Sequence, residues 1–270
     1  MSYRTVQVSL DSQGVLHVVL NRPEVRNAFN PDVMDDLTEA FGVEALKPAV
    51  RAVVLKGSGA TFCAGGDLNW MKQAVDYSYE ENLQDTRKLS QMFALMNECP
   101  KPVIGAIQGA AIGGGVGLVS VCDIAIASSE TQFSLSEVRL GIVPACIGPF
   151  VIAKMGASQA RRFFMSAERF KASQAQEVGL IHQVVDQPKD LDQAVHSLLK
   201  LILQCSPNAL SVAKRLVLDL SWPERRAQFP NYIEYISKTL ADLRISAEGQ
   251  EGVRAFLEKR QPSWISGGVA

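Results

Sequence analysis

VIGAIQGAAIGGGVGLVSVC, residues 103–122, is a run of 20 residues without a charged side chain. Its length would suffice to span a bilayer. Six glycines, the polar Gln108 and Ser120, and Asp123 directly after it without an aromatic belt argue against a membrane segment. We interpret it as a buried strand that runs through a glycine-rich loop into a helix, which is typical of an α/β fold.

Strands and helices alternate on both sides of this run. Residues 5–10 and 15–20 predict a hairpin around the turn Gln13-Gly14, and Asn30-Pro31 predicts a helix start. Short buried strands are predicted at 52–55, 103–107 and 124–127, and a second helical stretch at 68–96. The alternation predicts an α/β fold with substantial parallel pairing.

The pattern changes after about residue 158, where it becomes mostly helical. Amphipathic spacing predicts helices at 191–204, 207–219, 229–243 and 247–259. We therefore expect an α/β core with the functional site in residues 1–195 and a helical C-terminal region in residues 196–270.

Composition excludes several classes of protein. The 27 Lys and Arg nearly balance the 28 Asp and Glu, so no basic field favours nucleic acid or an anionic membrane. The five cysteines form no C-x-x-C pattern, and the start, MSYRTVQVSL, lacks a secretory signal. We expect a cytoplasmic location, or an organelle after removal of a transit peptide. His17, His182 and His196 show no metal-ligand spacing, so no metal site is expected.

Three segments carry the chemistry. The first glycine loop is residues 62–68 (FCAGGDL), the second glycine loop is 109–117 (GAAIGGGVG), and the acidic segment is 133–141 (FSLSEVRLG). Each glycine loop follows a short strand and precedes a helix, so its backbone N–H groups can point at one spot. Two such loops suggest an oxyanion hole for a carbonyl that gains negative charge. The dinucleotide-binding fingerprint fails, because Leu118 stands where Gly or Ala is required.

Glu137 is the carboxyl group of the acidic segment. It can be a surface residue or half of an ion pair with Arg139. A partly buried carboxyl would instead have a raised pKa and suit proton transfer near neutrality.

With the early segment NRPEVRNA (21–28), these motifs resemble the crotonase superfamily, the enoyl-CoA hydratase/isomerase family, and the similarity extends to FLEKR at 256–260. The resemblance implies a spiral of ββα turns and a helical C-terminal region that forms trimers, often paired as dimers of trimers. It also implies an acyl-CoA substrate and no separate cofactor, because coenzyme A is part of the substrate.

The resemblance also implies individual roles. The amides of Gly66 and Gly114 would hold the thioester oxygen, and Glu137 would be the acid–base. The residues expected along coenzyme A are Arg26, Ala28, Ala64, Asp67, Leu68, Phe256 and Lys259. Its phosphates would be met by Arg22, Arg26 and Lys259.

One position departs from the family pattern. Hydratases of this family use two glutamates, and Gly117 stands where the first would be. Hydration with Glu137 as the main acid–base is our main interpretation, and another polar side chain could replace the missing glutamate. Isomerisation, decarboxylation, and a non-catalytic protein that binds acyl-CoA or RNA remain alternatives.

The segment 136–145 resembles the branch that hydrates 3-methylglutaconyl-CoA and related branched acyl-CoAs in leucine or acyclic terpene breakdown. Such a substrate carries a distal carboxylate, which Arg139 or Lys72 could meet. The acyl pocket would be shaped by Trp70, Met71, Cys146 and Ile147.

Overall fold

The computed structural model describes residues 3–265. Its strands are β1 (Val6–Leu10), β2 (Val15–Leu20), β3 (Ala52–Gly57), β4 (Val103–Ile107), β5 (Ala110–Ile112), β6 (Ile124–Ser128), β7 (Gln132–Ser134), β8 (Phe170–Lys171) and β9 (Gln183–Val185). Its α-helices are α1 (Pro31–Glu39), α2 (Leu68–Ala74), α3 (Tyr79–Asn97), α4 (Gly114–Val121), α5 (Gly148–Ser166), α6 (Ala172–Glu177), α7 (Leu191–Ile202), α8 (Pro207–Ser221), α9 (Pro223–Arg226), α10 (Tyr232–Ile245) and α11 (Ala247–Leu257).

The main sheet has the strand order β1-β2-β3-β4-β6-β9, and only the β1–β2 hairpin is antiparallel. Its central strands are apolar on both faces, because both faces are covered. In β3, Val53 and Leu55 join the larger core, while Val54 faces a smaller core capped by α7. The prediction of an α/β fold with parallel pairing is confirmed.

A second, smaller sheet has the order β5-β7-β8. Along the chain, β4 enters the main sheet, β5 enters the small sheet and α4 follows; β6, β7 and α5 repeat this path. This repetition is the spiral of ββα turns that the resemblance implied. The small sheet was not predicted, because two- and three-residue strands leave almost no pattern in a sequence.

The predicted helix over residues 68–96 is wrong in one respect, since it is two helices. Helix α2 ends at Ala74, and Ser78 is the N-cap of α3, which begins at Tyr79. The Ser78 hydroxyl accepts from the N–H of Glu81, whose carboxylate accepts from the N–H of Ser78, which is a capping box. The helix predicted at 229–243 begins later, at Tyr232, where Asn231 caps it.

The C-terminal helices are joined to the core by charged groups. Lys214 of α8 donates to Asp123 at 2.8 Å, and Arg225 pairs with both Glu98 of α3 and the buried Asp219. Helices α10 and α11 leave large apolar side chains exposed. In the described residues, no helix is both long and apolar enough to cross a membrane.

Candidate active site

The first glycine loop lies between two neighbouring segments. On one side Cys63 exchanges backbone hydrogen bonds of 3.0 Å with Ala110 and Ile112. On the other side the N–H of Phe29 donates to the carbonyl of Gly65 at 2.7 Å. Because the peptide group is trans, its C=O and N–H point in opposite directions. The N–H of Gly66 therefore points away from Phe29, toward the side of the second glycine loop.

In the second glycine loop, the direction of the Gly114 N–H also follows from the carbonyl on the other side of its peptide group. The carbonyl of Gly113 accepts from Val116 at 2.8 Å and from Gly117 at 3.2 Å, so it points into α4. The N–H of Gly114 must then point out of the helix N-terminus, where the helix dipole favours negative charge. Within residues 3–265, neither this N–H nor that of Gly66 has a hydrogen-bond acceptor.

The two loops touch because Gly115 has no side chain. A β-carbon built there would lie 2.5 Å from the carbonyl oxygen of Cys63 and 3.1 Å from its Cβ, closer than atoms can approach. Phe29 bridges the loops as well, since it pairs with Gly66 and its ring lies 3.1 Å from a β-carbon built at Gly114. The two donors therefore belong to one continuous surface, as an oxyanion hole requires.

Glu137 opens a 3-10 turn at the end of the small sheet, and its carboxyl lies beside the second glycine loop. Its Oε1 is 3.0 Å from a β-carbon built at Gly113. Its Oε2 is buried and has no hydrogen-bond partner among the described residues. Burial raises the pKa of this carboxyl, and a backbone N–H offsets only part of the rise. The sequence-based alternative of an ion pair with Arg139 is not found in residues 3–265, where Arg139 is exposed.

The place of the missing carboxylate is filled by hydrocarbon. A β-carbon at Gly117 would overlap Cγ2 of Ile147 and come within 2.9 Å of the Phe93 ring. Both residues are buried. Of the predicted acyl-pocket residues, Ile147 thus lies at this position, while Trp70 and Met71 lie against Gly66. Sequence analysis missed Phe93, whose only signal was a core-facing position in a helix.

Three of the residues predicted along coenzyme A come together. The N–H of Ala64 donates to the carbonyl of Arg26 at 3.0 Å, and Ala28 lies two residues further along the same segment. Leu68 is the last residue of the first glycine loop, begins α2 and is 73% exposed. Phe256, on α11, is 81% exposed, and Lys259 follows in a left-handed turn, so a role for either over coenzyme A stays a prediction.

Asp67 and Arg22 form an ion pair that sequence analysis did not predict, and their roles along coenzyme A stay predictions. Nη2 of Arg22 donates to Oδ2 of Asp67 at 2.7 Å, and Nη1 donates to the carbonyl of Ala28 at 2.7 Å. Burial would raise the pKa of Asp67, but hydrogen bonds from Arg22 and from the N–H of Asn69 lower it. Two of the five N–H donors of Arg22 are engaged in this way, and its contact with a phosphate of coenzyme A stays a prediction.

The chain is similar to known proteins over nearly its whole length. Residues 11–267 match the sequence model of the enoyl-CoA hydratase/isomerase family. The chain is 32% identical to the 2,3-dehydroadipyl-CoA hydratase of Escherichia coli, over 93% of this chain and 95% of that protein. It is also 32% identical to the peroxisomal Δ(3,5)-Δ(2,4)-dienoyl-CoA isomerase of Arabidopsis thaliana, over 97% of each. The crystal structure of an enoyl-CoA hydratase from Shewanella pealeana superposes with a TM-score of 0.91 at 36% identity, covering 97% of this chain and 96% of that one.

Proposed function

The chain belongs to the enoyl-CoA hydratase/isomerase family, and from that premise we propose that it is an enoyl-CoA hydratase that adds water to a 2-enoyl-CoA. The observation that carries this proposal is the carboxyl of Glu137. It is buried beside the N-terminus of α4, its pKa is raised, and its Oε2 has no partner within the described residues. A carboxyl in that state can both take and return a proton near neutral pH.

The reaction needs one acid–base group and one oxyanion hole. Ionised Glu137 removes a proton from water as the water oxygen bonds to C3 of the substrate. The electron pair of the C2–C3 double bond moves toward C1, and negative charge develops on the thioester oxygen. The N–H groups of Gly66 and Gly114 stabilise that charge. Glu137 then gives the proton to C2, which leaves a 3-hydroxyacyl-CoA and restores the carboxylate.

For the substrate we propose 3-methylglutaconyl-CoA or a related branched enoyl-CoA. Support comes from the segment 136–145, which resembles that branch of the family. The distal carboxylate would need a cation, and Arg139 and Lys72 are both exposed on the elements that flank the loops. Leucine breakdown would be the corresponding pathway.

Double-bond isomerisation is the second candidate, and the surroundings of Gly117 favour it. A water held for attack needs two to four polar partners. Ile147 and Phe93 offer none where the family's first glutamate would stand. A single carboxyl beside an apolar wall can instead carry a proton from C2 to C4, with no water involved, and decarboxylation could use the same hole.

A panel of enoyl-CoAs that includes 3-methylglutaconyl-CoA, with the products analysed by mass, separates these reactions. A gain of one water indicates hydration. An unchanged mass with a shifted double bond indicates isomerisation, and a loss of carbon dioxide indicates decarboxylation. Either of the last two, without hydration, contradicts our proposal.

The role of Glu137 is tested by Glu137→Gln, which keeps the shape of the side chain. We expect kcat to fall by about 10²–10⁴, the usual contribution of positioned acid–base catalysis. Glu130→Gln is the matched control, because Glu130 is exposed and pairs only with Lys171. A loss of less than roughly tenfold for Glu137→Gln would contradict the assignment.

We also propose a trimer-based assembly through the C-terminal helices. Support comes from the apolar side chains that α10 and α11 expose: Ile233 is 61% exposed, Leu240 52% and Val253 56%. Monomeric proteins rarely leave such side chains grouped in water. Sedimentation velocity of the full chain tests this, and a monomer at micromolar concentration would contradict it.

A further inference from the structure

We infer that Arg22 and Asp67 are positioning residues that fix the direction of the Gly66 N–H. The inference rests on the proposed oxyanion role of Gly66. In this inference, the buried pair affects the reaction indirectly, because it holds the backbone of the first glycine loop in place.

The first observation is that Asp67 is fixed at each of its polar groups. Its backbone N–H donates to the carbonyl of Phe29 at 2.7 Å. Its Oδ1 accepts from the N–H of Asn69 at 2.8 Å and so caps α2, while its Oδ2 accepts from Arg22. The peptide group that carries the Gly66 N–H is held by the Gly65 carbonyl, which accepts from Phe29, and the bonds of Asp67 hold the peptide group that follows it. Gly66 is therefore fixed on both sides.

The second observation is that Arg22 holds the opposite side of the loop. It donates to the carbonyl of Ala28, the residue before Phe29. Phe29 in turn donates to Gly65 and accepts from Asp67. The hydrogen bonds therefore close a ring from Arg22 through Phe29 to Asp67 and back, and Gly66 lies on its perimeter.

The third observation is that the ring is built at a conformational cost. Arg26 and Asn27 both have φ of 55°, in the left-handed region that residues with side chains rarely adopt. Asn27 is buried, and its amide donates to the carbonyls of Ser58 and Thr61. Such strained residues persist only where the surrounding contacts hold them, and they concentrate at functional sites.

Apolar packing holds Phe62 and Cys63 at the start of this loop, but Gly66 itself lies at the surface. Gly66 is exposed and Leu68 is 73% exposed, whereas the side chains of Arg22 and Asp67 are only 18% and 6% exposed. A charge-assisted hydrogen bond shielded from water is strong and directional. The pair is therefore the main fixed point next to the Gly66 N–H.

Asp67→Asn tests the inference, because it keeps the shape and an oxygen for the N–H of Asn69 but removes the charge. We expect kcat on the best enoyl-CoA substrate to fall about tenfold or more, with KM changed less than about threefold. A donor that acts on the transition state affects kcat rather than ground-state binding. Arg22→Lys keeps the charge but replaces the two separate donor nitrogens that bond Asp67 and Ala28 by a single ammonium, so it should give an intermediate loss.

A spectroscopic measurement separates positioning from simple loss of stability. Bound cinnamoyl-CoA absorbs at longer wavelength when an oxyanion hole polarises its carbonyl. We expect Asp67→Asn and Arg22→Met to reduce this shift, and the double variant to reduce it no further, because the two residues act as a unit. Asp32→Asn, which breaks the exposed Arg4–Asp32 pair of the same 2.7 Å length, should change neither kcat nor the shift.

Three results would overturn the inference. A higher KM with unchanged kcat in Asp67→Asn would indicate direct contact with coenzyme A. A lower melting temperature with the full spectral shift would indicate a purely structural pair. If the wild-type protein gave no spectral shift of cinnamoyl-CoA, the proposed oxyanion role of Gly66 would be wrong, and the inference would be wrong with it. If wild type and Asp67→Asn gave the same spectral shift, only the inference would be wrong.

Discussion

The two glycine loops present the same chemical group but are held by different forces. After the second glycine loop's donor Gly114, residues 115–121 of α4 are buried, and Ile147 and Phe93 pack against Gly117 in the first turn of the helix. In the first glycine loop, Gly66 is exposed, and hydrogen bonds and the Arg22–Asp67 pair hold the backbone instead. The comparison teaches that stability and activity should separate at the two donors: α4 after Gly114 belongs to the core, while Gly66 can be altered with little effect on stability.

Among substitutions in the two glycine loops, the largest effect should come from Gly114→Pro, which removes the donor N–H. Proline is tolerated at the first position of a helix, so the fold should survive. We expect kcat to fall by about 10²–10³, as when one oxyanion donor is lost. Gly114→Ala adds a β-carbon near Phe29 but keeps the N–H, and it should retain most activity. Equal kcat values for the two variants would rule out this donor.

Gly117→Ala should show that the second loop is part of the core. Its β-carbon has no room beside Ile147 and Phe93. Overpacking of this kind costs about 1–3 kcal/mol of unfolding free energy. Urea denaturation followed by circular dichroism measures it. A stability equal to wild type would mean that Ile147 and Phe93 can move aside and that a second polar group could be accommodated at this position.

Glu137→Gln should stabilise the protein at neutral pH while it abolishes proton transfer. Burial raises the pKa of Glu137 in the folded state above its usual 4.5, so ionisation costs folding free energy. Stability from the protonated carboxyl is fully present at low pH and is lost as pH rises through the raised pKa. Between pH 4 and pH 8, the melting temperature of Glu137→Gln should therefore exceed that of wild type only at the higher pH values.

The raised pKa of Glu137 also determines how kcat/KM falls at acidic pH. Glu137 must be ionised in the free enzyme to accept a proton from water, so kcat/KM should decline as pH falls through a pKa above 4.5. A pH–rate profile flat down to pH 4.5 would contradict a buried base.

The smallest effect is expected for Gly66→Ala. The new β-carbon would lie 3.3 Å from Sδ of Met71, the flexible end of a side chain, and the N–H is kept. We expect the unfolding free energy to change by less than about 0.5 kcal/mol, as for surface substitutions. Gly65→Ala is the contrast, because Gly65 has φ of +94° and should be strained by any side chain. A large loss for Gly66→Ala would remove the distinction between the loops.

Much of this architecture can be read from local sequence. The charge-free run 103–122 predicts β4, the loop and α4 within a residue or two, and Asn30-Pro31 predicts the start of α1. The break between α2 and α3 was also legible, because Ser78 and Glu81 have capping-box spacing. It was missed because apolar periodicity continues across the break.

Contacts between distant segments could not be read in this way. Arg22 and Asp67 are 45 residues apart, and nothing local marks them as partners. The resemblance brought both toward coenzyme A, whereas the fold pairs them with each other. Phe93 and Ile147 close the space at Gly117 from two further elements, so the shape of the proposed acyl pocket depends on packing that no single segment contains.

The position of the first glycine loop also determines when the site can form. Residues 63–67 are held between residues 26–29, which are synthesised earlier, and residues 110–112, which are synthesised later. The second donor and Glu137 come later still. The proposed oxyanion hole therefore needs segments from three successive parts of the chain. Because such contacts between distant segments require loops to close first, the proposed site can be complete only when these turns of the spiral have docked.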